Sequence, residues 1–398
     1  MSFEDTLRTR LVDFVDHLDL DDAPDRIDDE NAEKGGDERS GRPSRRAVLA
    51  GAAAGVAIVG GVAAAGGLRL PRPNVTPAAA PLAFPAELPR YSLWPRPLSW
   101  TGMQQAVLAY RHSDLEADFA PQQVVLSTDW RSTGRLGAAR RRGDHRSLGR
   151  TILSPDGRRL AVGTSDEGDV LVLDVGASSG RTYPLTQEER AVVPQFFTTD
   201  GRTLFATLYT PGTEERYVAL PGPLARIDLE SGSVTWIADG VWAASPSADD
   251  TRLAVGYETS LSILDAATGQ VLRGDILDVR GQALPPYAWS PDEQHIMQLA
   301  WYTYVDGEPT VEPPRLYNVT DGSSRVLEDA FVSGLCWLDA HTYIGTWFVP
   351  PRIVAVDIRT DTVTELTRWG GGGSSHISAN VGEASIARDL VRRDGRGR

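Results

Sequence analysis

The sequence predicts an all-β protein, a six-bladed β-propeller with a seven-bladed ring as the alternative, preceded by a cytoplasmic tail and one apolar transmembrane helix. Three observations support this prediction. A short turn motif recurs at a regular spacing, a hairpin pattern follows each copy, and an uncharged stretch of 22 residues precedes the repeats. Glycine and proline, 39 and 26 of 398 residues, are spread along the chain, which is typical of many short strands joined by turns.

Residues 1–42 form an acidic segment. Apolar residues spaced three or four apart between Phe3 and Leu18 predict a short amphipathic helix. The stretch after it is acidic and rich in turn formers, which favours a disordered tether. We expect a cytoplasmic tail whose helix either docks a partner or binds nothing.

Residues 43–69 contain the uncharged run Ala47–Leu68, which is long enough to cross a bilayer as a helix. Arg42, Arg45 and Arg46 precede this run and would hold that end in the cytoplasm, so the prediction is a single-pass protein of the cell membrane. The alternative is a secreted protein. SRRAVLAG resembles a twin-arginine export signal, and the alanines at 63–65 offer a cleavage site. In both cases the rest of the chain lies outside the cytoplasm.

Two further segments flank the repeats. Residues 70–90 are rich in proline and predict an extended spacer. Residues 392–398 predict a disordered tail. The propeller is therefore expected over residues 91–391.

The turn motif is SPDGRRLAVG at 154–163, in which a polar turn precedes a short apolar strand. Its aspartate recurs in four later copies, and the five anchors are Asp156, Asp200, Asp249, Asp292 and Asp339. Their spacings of 44, 49, 43 and 47 residues match the length of one propeller blade.

After each anchor, a second alternating strand ends in Asp or Asn, a turn of small residues follows, and a third strand returns. An earlier copy without its anchor lies at 104–136, which makes six units. The tail at 377–391 contains GEASIARDLV, which we expect to be the strand that closes the ring.

The turn motifs and their spacing resemble WD-repeat-like and TolB-type β-propellers. The arrangement of tail, arginines, apolar span and repeats is similar to that of single-span bacterial membrane proteins with extracytoplasmic propellers. This resemblance implies an architecture and leaves the activity open, because the fold carries enzymes as well as binding scaffolds.

Few residues suggest chemistry. The net charge of -14 argues against nucleic acid as a partner. The single cysteine, Cys336, excludes an internal disulfide and a thiolate zinc cluster, and we expect it to be buried. Five histidines lie in different units without metal-ligand spacing: His112, His145, His295, His341 and His376. We expect each anchor aspartate to accept hydrogen bonds within its own turn.

Two aromatic patterns remain. SGSVTW at 231–236 partly matches the blade motif of quinoprotein dehydrogenases, but it is not repeated, so a quinone cofactor is not expected. Most of the ten tryptophans should fill space between blades, and some could line a sugar- or peptide-binding surface. No catalytic, cofactor-binding or metal-binding residue is predicted.

The sequence thus favours a membrane-anchored, extracytoplasmic module that binds a protein or a cell-envelope ligand without catalysis. One alternative is an extracytoplasmic glycoside hydrolase or lyase. The other is a transmembrane regulator similar to an anti-sigma factor. We expect the function to lie in residues that break the repeat.

Overall fold

The computed structural model describes these parts of the chain: residues 81–88, 103–112, 122–130, 133–136, 150–163, 168–177, 179–188, 190–210, 220–278, 284–299, 301–305, 308–327, 333–347, 352–369 and 384–392. All of them belong to one compact unit, Ala78–Arg398. The helix expected within residues 1–42, the three arginines and the apolar run at 47–68 lie outside the described residues. Within the described residues, no helix is long and apolar enough to span a membrane.

The strands form a six-bladed β-propeller, which confirms the all-β prediction and decides for six blades over seven. Four regular blades follow the chain order from their inner to their outer strand. Blade 2 contains β5 (Thr151–Leu153), β6 (Arg159–Gly163), β7 (Asp169–Asp174) and β8 (Gly180–Pro184). Blade 3 contains β9 (Ala191–Phe197), β10 (Thr203–Thr210), β11 (Leu220–Asp228) and β12 (Val234–Val241). Blade 4 contains β13 (Ala243–Pro246), β14 (Arg252–Gly256), β15 (Ser260–Asp265) and β16 (Val271–Asp278).

Blade 6 is the last regular one and carries an additional strand. It contains β22 (Ser333–Trp337), β23 (Thr342–Trp347), β24 (Arg352–Asp357) and β25 (Thr362–Trp369). A fifth strand, β1 (Glu87–Leu88), pairs in parallel with the outer edge of β25 at Arg368 and Trp369. This short strand lies within the stretch that we expected to be a spacer.

Blade 5 departs from the repeat. It contains β17 (His295–Gln298), β20 (Arg315–Asn318) and β21 (Ser324–Val326), and a single bridge from Trp289 to Ile296 takes the place of its inner strand. A hairpin of β18 (Trp301–Val305) and β19 (Glu308–Glu312) is inserted between its second and third strands. The repeat pattern did not predict this hairpin.

Blade 1 closes the ring. Its outer three strands come from the start of the repeats: β2 (Ala106–His112), β3 (Gln122–Ser127) and β4 (Thr133–Leu136). Its inner strand, β26 (Ser385–Ile386), comes from the end of the chain and pairs with β2. The prediction of a closing strand in the tail is confirmed. A single-turn helix, α1 (Arg388–Val391), follows β26 directly.

Inner strands of neighbouring blades contact each other around the axis, including β26 with β5, β5 with β9, and β9 with β13. In an antiparallel blade, the turns after the first and third strands lie at one end, and the remaining connections lie at the other. We call the first end the turn face and the second the loop face. Because α1 follows an inner strand, it lies at the turn face.

Apolar side chains hold the blades together. Leu160 and Val162 of the repeated motif are buried, and so are Leu253 and Val255 in blade 4. At the turn face, Gly157 adopts a φ of +71°, and a Cβ added there would lie 2.1 Å from the carbonyl oxygen of Ala106. The glycine is therefore required both for its backbone conformation and for the close approach of blade 1.

Candidate functional site

The inner strands around the axis carry apolar, small and uncharged polar side chains in the part of the ring that is described. Three of the polar side chains accept hydrogen bonds from the backbone of the next blade. The Ser385 hydroxyl binds the Leu153 amide at 2.9 Å, and the Ser245 hydroxyl binds the Ala288 amide at 2.7 Å. The Gln195 side chain does the same towards blade 4, at 3.3 Å. These groups satisfy backbone donors that no sheet partner reaches, so their role is structural.

Arg388 of α1 joins three blades at the turn face. Only 6% of this residue is exposed. Its Nη2 donates to the Thr199 hydroxyl of blade 3 at 2.6 Å, and its guanidinium lies 4.5 Å from the ring centre of Tyr287, next to the inner position of blade 5. Because α1 extends from blade 1, this contact crosses the axis and links alternate blades.

The side chain of Tyr287 is a neutral aromatic ring, which suits its contact with the Arg388 guanidinium. Burial raises the pKa of its hydroxyl well above the usual range, and the nearby Arg388 opposes this only in part. A carboxylate oxygen of Asp389 lies 3.7 Å from the Nε of Arg388. The aromatic face and the Thr199 hydroxyl therefore compensate for much of the cost of burying the guanidinium.

The anchor aspartates have the local role that the sequence predicted. Asp156 accepts from the Arg158 amide at 3.0 Å and from the Ser154 hydroxyl at 2.7 Å. The equivalent backbone bond is present for Asp200, Asp249, Asp292 and Asp339. Partial burial raises the pKa of Asp249, but hydrogen bonds from Ser247 and Thr251 outweigh it and lower the pKa to about 2. These carboxylates are engaged in shaping turns.

Two of the histidines, His295 and His341, lie close enough for His341 to affect the pKa of His295. His295 lies on β17, and burial lowers its pKa. His341 lies in the first turn of blade 6, where its amide binds Asp339. His145 and His376 are outside the described residues, as is the side chain of His112. No group of three or more His, Cys, Asp or Glu residues within the described segments is arranged to hold a metal ion. Cys336 is buried in β22, as expected.

Most described tryptophans pack as predicted, with one exception. Trp130, Trp289 and Trp337 are buried, whereas Trp236 on β12 is 48% exposed. This residue ends the SGSVTW stretch. The sequence could have indicated that Trp236 is unusual, because tryptophan occurs at this position of the hairpin in one blade only.

Trp236 lines a shallow open cavity of about 540 Å³ on the outer part of blade 3. The other lining residues are Arg190, Pro223, Ile237, Ala238 and Asp239. Large apolar side chains are also exposed on the outer strands of blades 4 and 5, at Val271, Leu272 and Val326.

Blade 3 also lacks a contact that its neighbours share. Blades 2, 4 and 5 each have an arginine on the outer strand that donates to a backbone carbonyl of the next blade, in the turn after that blade's third strand. These arginines are Arg181, Arg273 and Arg325. In blade 3, the position equivalent to Arg181 is occupied by Thr235, so this arginine contact is absent there. The carbonyl of Ile237 instead approaches Gly269, where an added Cβ would lie 2.1 Å from it. The strand that lacks the repeated arginine is thus the same strand that carries the exposed Trp236.

No protein-family model matches the chain, and no curated protein matches its sequence. Among solved structures, the chain is similar to TolB from Acinetobacter baumannii, with a TM-score of 0.50 and 14% identity over 72% of this chain and 67% of that chain. An oligogalacturonate lyase in complex with manganese has a TM-score of 0.45 at 12% identity, over 72% of this chain and 86% of that one. Hydrazine synthase of Kuenenia stuttgartiensis has a TM-score of 0.43 at 13% identity, over 60% and 70%. The similarity to TolB supports a TolB-like propeller and concerns the fold alone.

Proposed function

We propose that this protein is a membrane-anchored, extracytoplasmic β-propeller that binds a protein or a cell-envelope ligand and performs no catalysis. The apolar run at 47–68 is its anchor, and Arg42, Arg45 and Arg46 keep the preceding tail in the cytoplasm. The propeller then presents its blades to the envelope. A TolB-like fold is consistent with a binding module.

The exposed Trp236 on the outer strand of blade 3 is the observation that supports binding most directly. This side chain is about half exposed and borders a cavity. Exposing a large aromatic side chain to water is unfavourable unless a ligand covers it. Three polar side chains on the inner strands, in contrast, are engaged in contacts between blades: Ser385, Gln195 and Ser245.

The anchor can be tested with the full chain carrying a C-terminal tag in a bacterial host. We expect the mature protein to keep the mass of residues 1–398, to fractionate with membranes, and to lose its tag when spheroplasts are treated with protease. A protein that is shortened near residue 65 and fractionates as soluble would contradict anchoring. The double change Arg45→Glu and Arg46→Glu should reduce the protease-accessible fraction, whereas Arg158→Glu with Arg359→Glu, both exposed on the propeller, should not.

The absence of catalysis is tested separately. The full chain should leave a broad panel of glycosides, polyuronides and esters unchanged. Turnover of any of them by the full chain, absent from a mock preparation of a host that lacks its gene, would favour an enzyme instead.

A further inference from the structure

The outer strand of blade 3, β12, resembles the outer strand of blade 6, β25, in its length and in one bulge. Each contains eight residues. Ile237 in β12 and Leu366 in β25 are extra relative to the neighbouring strand, and each lies three residues beyond a valine that pairs close to the turn, Val234 or Val363. β12 carries a second extra residue at position 239 or 240, where β25 has none. β16 is irregular at Leu272 and again between Arg273 and Leu277.

The edge of β25 already binds an extra strand. β1 pairs in parallel with Arg368 and Trp369, just after the bulge, and Leu88 becomes almost completely buried there. The outer edge of a blade of this shape therefore accepts an extended segment. The corresponding edge of β12 pairs with no strand among the described residues. The Gly240 amide donates to Asp239 and the Ile237 carbonyl lies against Gly269 of blade 4, and the other outward N–H and C=O groups of this edge have no strand partner.

The side chain beside the bulge differs between the two strands. β25 has Glu365, whose carboxylate pairs with Arg352 at 3.3 Å and Arg368 at 2.9 Å. β12 has Trp236 at this position, exposed and bordering the cavity. The edge of β12 therefore combines free backbone groups with a pocket for an apolar side chain, and these two features give affinity and specificity when a peptide adds to a sheet.

The charges around the cavity define the ligand further. Arg190 is paired with Glu188 at 2.7 Å. Asp239 accepts a hydrogen bond from the Gly240 amide at 2.9 Å and has no cationic partner among the described residues. A ligand complementary to this surface brings a positive charge to Asp239 and an apolar group to Trp236.

We propose that β12 receives an extended peptide segment of a partner protein as a fifth strand. A large apolar or aromatic side chain of the peptide packs against Trp236, and a lysine or arginine near it faces Asp239. This inference rests on the proposed binding function and names the chemistry of the partner. A sugar would also stack on the tryptophan, but it would not use the strand edge that β1 uses on blade 6.

The test is a selection of random ten-residue peptides on the immobilised full chain, with counter-selection on the Trp236→Ala variant. We expect enriched peptides that share an apolar residue followed closely by a basic one. A synthetic peptide of this kind should bind about tenfold more weakly to Trp236→Ala, as expected for a central aromatic contact. It should protect the amides of residues 234–240 from hydrogen exchange. Leu272→Ala, which removes an equally exposed side chain from β16, should leave binding unchanged.

Two further changes distinguish binding by strand addition from nonspecific binding of apolar peptides. Asp239→Lys should weaken the basic peptide and improve binding of a peptide in which glutamate replaces the basic residue. N-methylation of alternate amides in the peptide should abolish binding, because it removes the strand hydrogen bonds and leaves the side chains. All variants change exposed residues, and circular dichroism should confirm that they fold.

Several outcomes would overturn the inference. These are a failure to enrich peptides over the Trp236→Ala counter-selection, full binding of the N-methylated peptide, or binding of a cell-wall oligosaccharide that depends on Trp236 while no peptide binds. None of them depends on the membrane anchor. Failure of the anchoring test would leave this experiment valid, and failure here would leave the anchor and other binding surfaces open to their own tests.

Discussion

At the scale of residues, each side chain of the repeated turn has a defined task. The fourth residue adopts a positive φ in four blades, and it is glycine in two of them, Gly157 and Gly201. In the other two it is Asp250 or Glu293, at φ of 61° and 59°. Both of these residues contact a neighbouring blade: Asp250 accepts from the Thr199 amide at 2.7 Å, and Glu293 pairs with Arg252. Backbone strain is thus retained where the side chain links two blades.

The turn aspartates should contribute to stability in a pH-dependent way. Changing Asp249→Asn removes a carboxylate that accepts three hydrogen bonds, from Ser247 and from the amide and hydroxyl of Thr251. We expect the free energy of unfolding at pH 7 to fall by about 1 kcal/mol. Because the pKa is lowered from 3.8 to about 2 in the folded state, this contribution is present above pH 3.8 and is lost as the pH falls towards 2.

Urea unfolding of both proteins at pH 7 and pH 3 measures this effect. Glu258→Gln is a matched control, because that exposed carboxylate makes no hydrogen bond in the described structure. A difference between wild type and Asp249→Asn that stays constant over this pH range would contradict the assignment.

At the scale of elements, the outer strands show that similar sheets have different edges. β25 is covered by β1, and β8 and β21 carry arginines that bind the next blade. β12 has neither feature and exposes Trp236. The helix α1 is too short to be stable alone, so its position depends on its tertiary contacts. These include the contacts of Arg388 and the hydrogen bond from the Asp389 amide to the Pro155 carbonyl.

Arg388 should stabilise the ring more than an exposed arginine does. We expect Arg388→Met to lower the free energy of unfolding by about 1–3 kcal/mol, because it removes the hydrogen bond to Thr199 and the cation–π contact with Tyr287. Lysine should not restore the loss, because it lacks the planar group that satisfies both contacts. Thermal unfolding measures the effect.

The control for this change is Arg359→Met, because Arg359 is exposed and its ion pair is with Asp357 in its own turn. We expect little change from it, as for most surface ion pairs. Equal destabilisation by the two changes would contradict the prediction that Arg388 stabilises the ring more than an exposed arginine does.

At the scale of the whole molecule, both ends of the propeller segment meet at one junction. β26 completes blade 1 and β1 covers blade 6, and the Leu82 amide binds the Leu390 carbonyl at 2.8 Å. Phe84 packs against Trp130 of blade 1, with ring centres 5.2 Å apart. The ring is therefore closed twice, by a strand at its inner side and by another at its outer side.

Deletion of residues 384–398 should open this junction, whereas deletion of residues 393–398 should not. Without β26, the backbone groups of Leu108 and Ala109 lose their partners, and the inner edge of blade 1 is exposed. We expect a broad, less cooperative unfolding transition and rapid hydrogen exchange in β2. Exchange in β2 that is the same for both deletions would show that the inner strand is not needed for closure.

Much of this fold could be predicted from the sequence because it is repetitive. A motif that recurs every 43 to 49 residues reports the same local hydrogen bonds each time, so the turns at Asp156 and Asp200 were identified correctly. The closing strand could also be inferred, since a ring needs one. The hairpin β18–β19 could not, because an insertion in a single blade has no second copy that would reveal it.

The sequence by itself determined the all-β class, the repeat and the local role of the anchor aspartates, because each depends on hydrogen bonds or alternation within a few tens of residues. It also predicted the closing strand, because a ring of blades needs one. The structure decided for six blades over seven. Only the tertiary structure decided that Arg388 crosses the axis to Thr199 and Tyr287, and that Trp236 is exposed while Trp337 is buried. Exposure depends on what the neighbouring blade places opposite a side chain. That neighbour lies far along the chain, at a distance that periodicity does not encode.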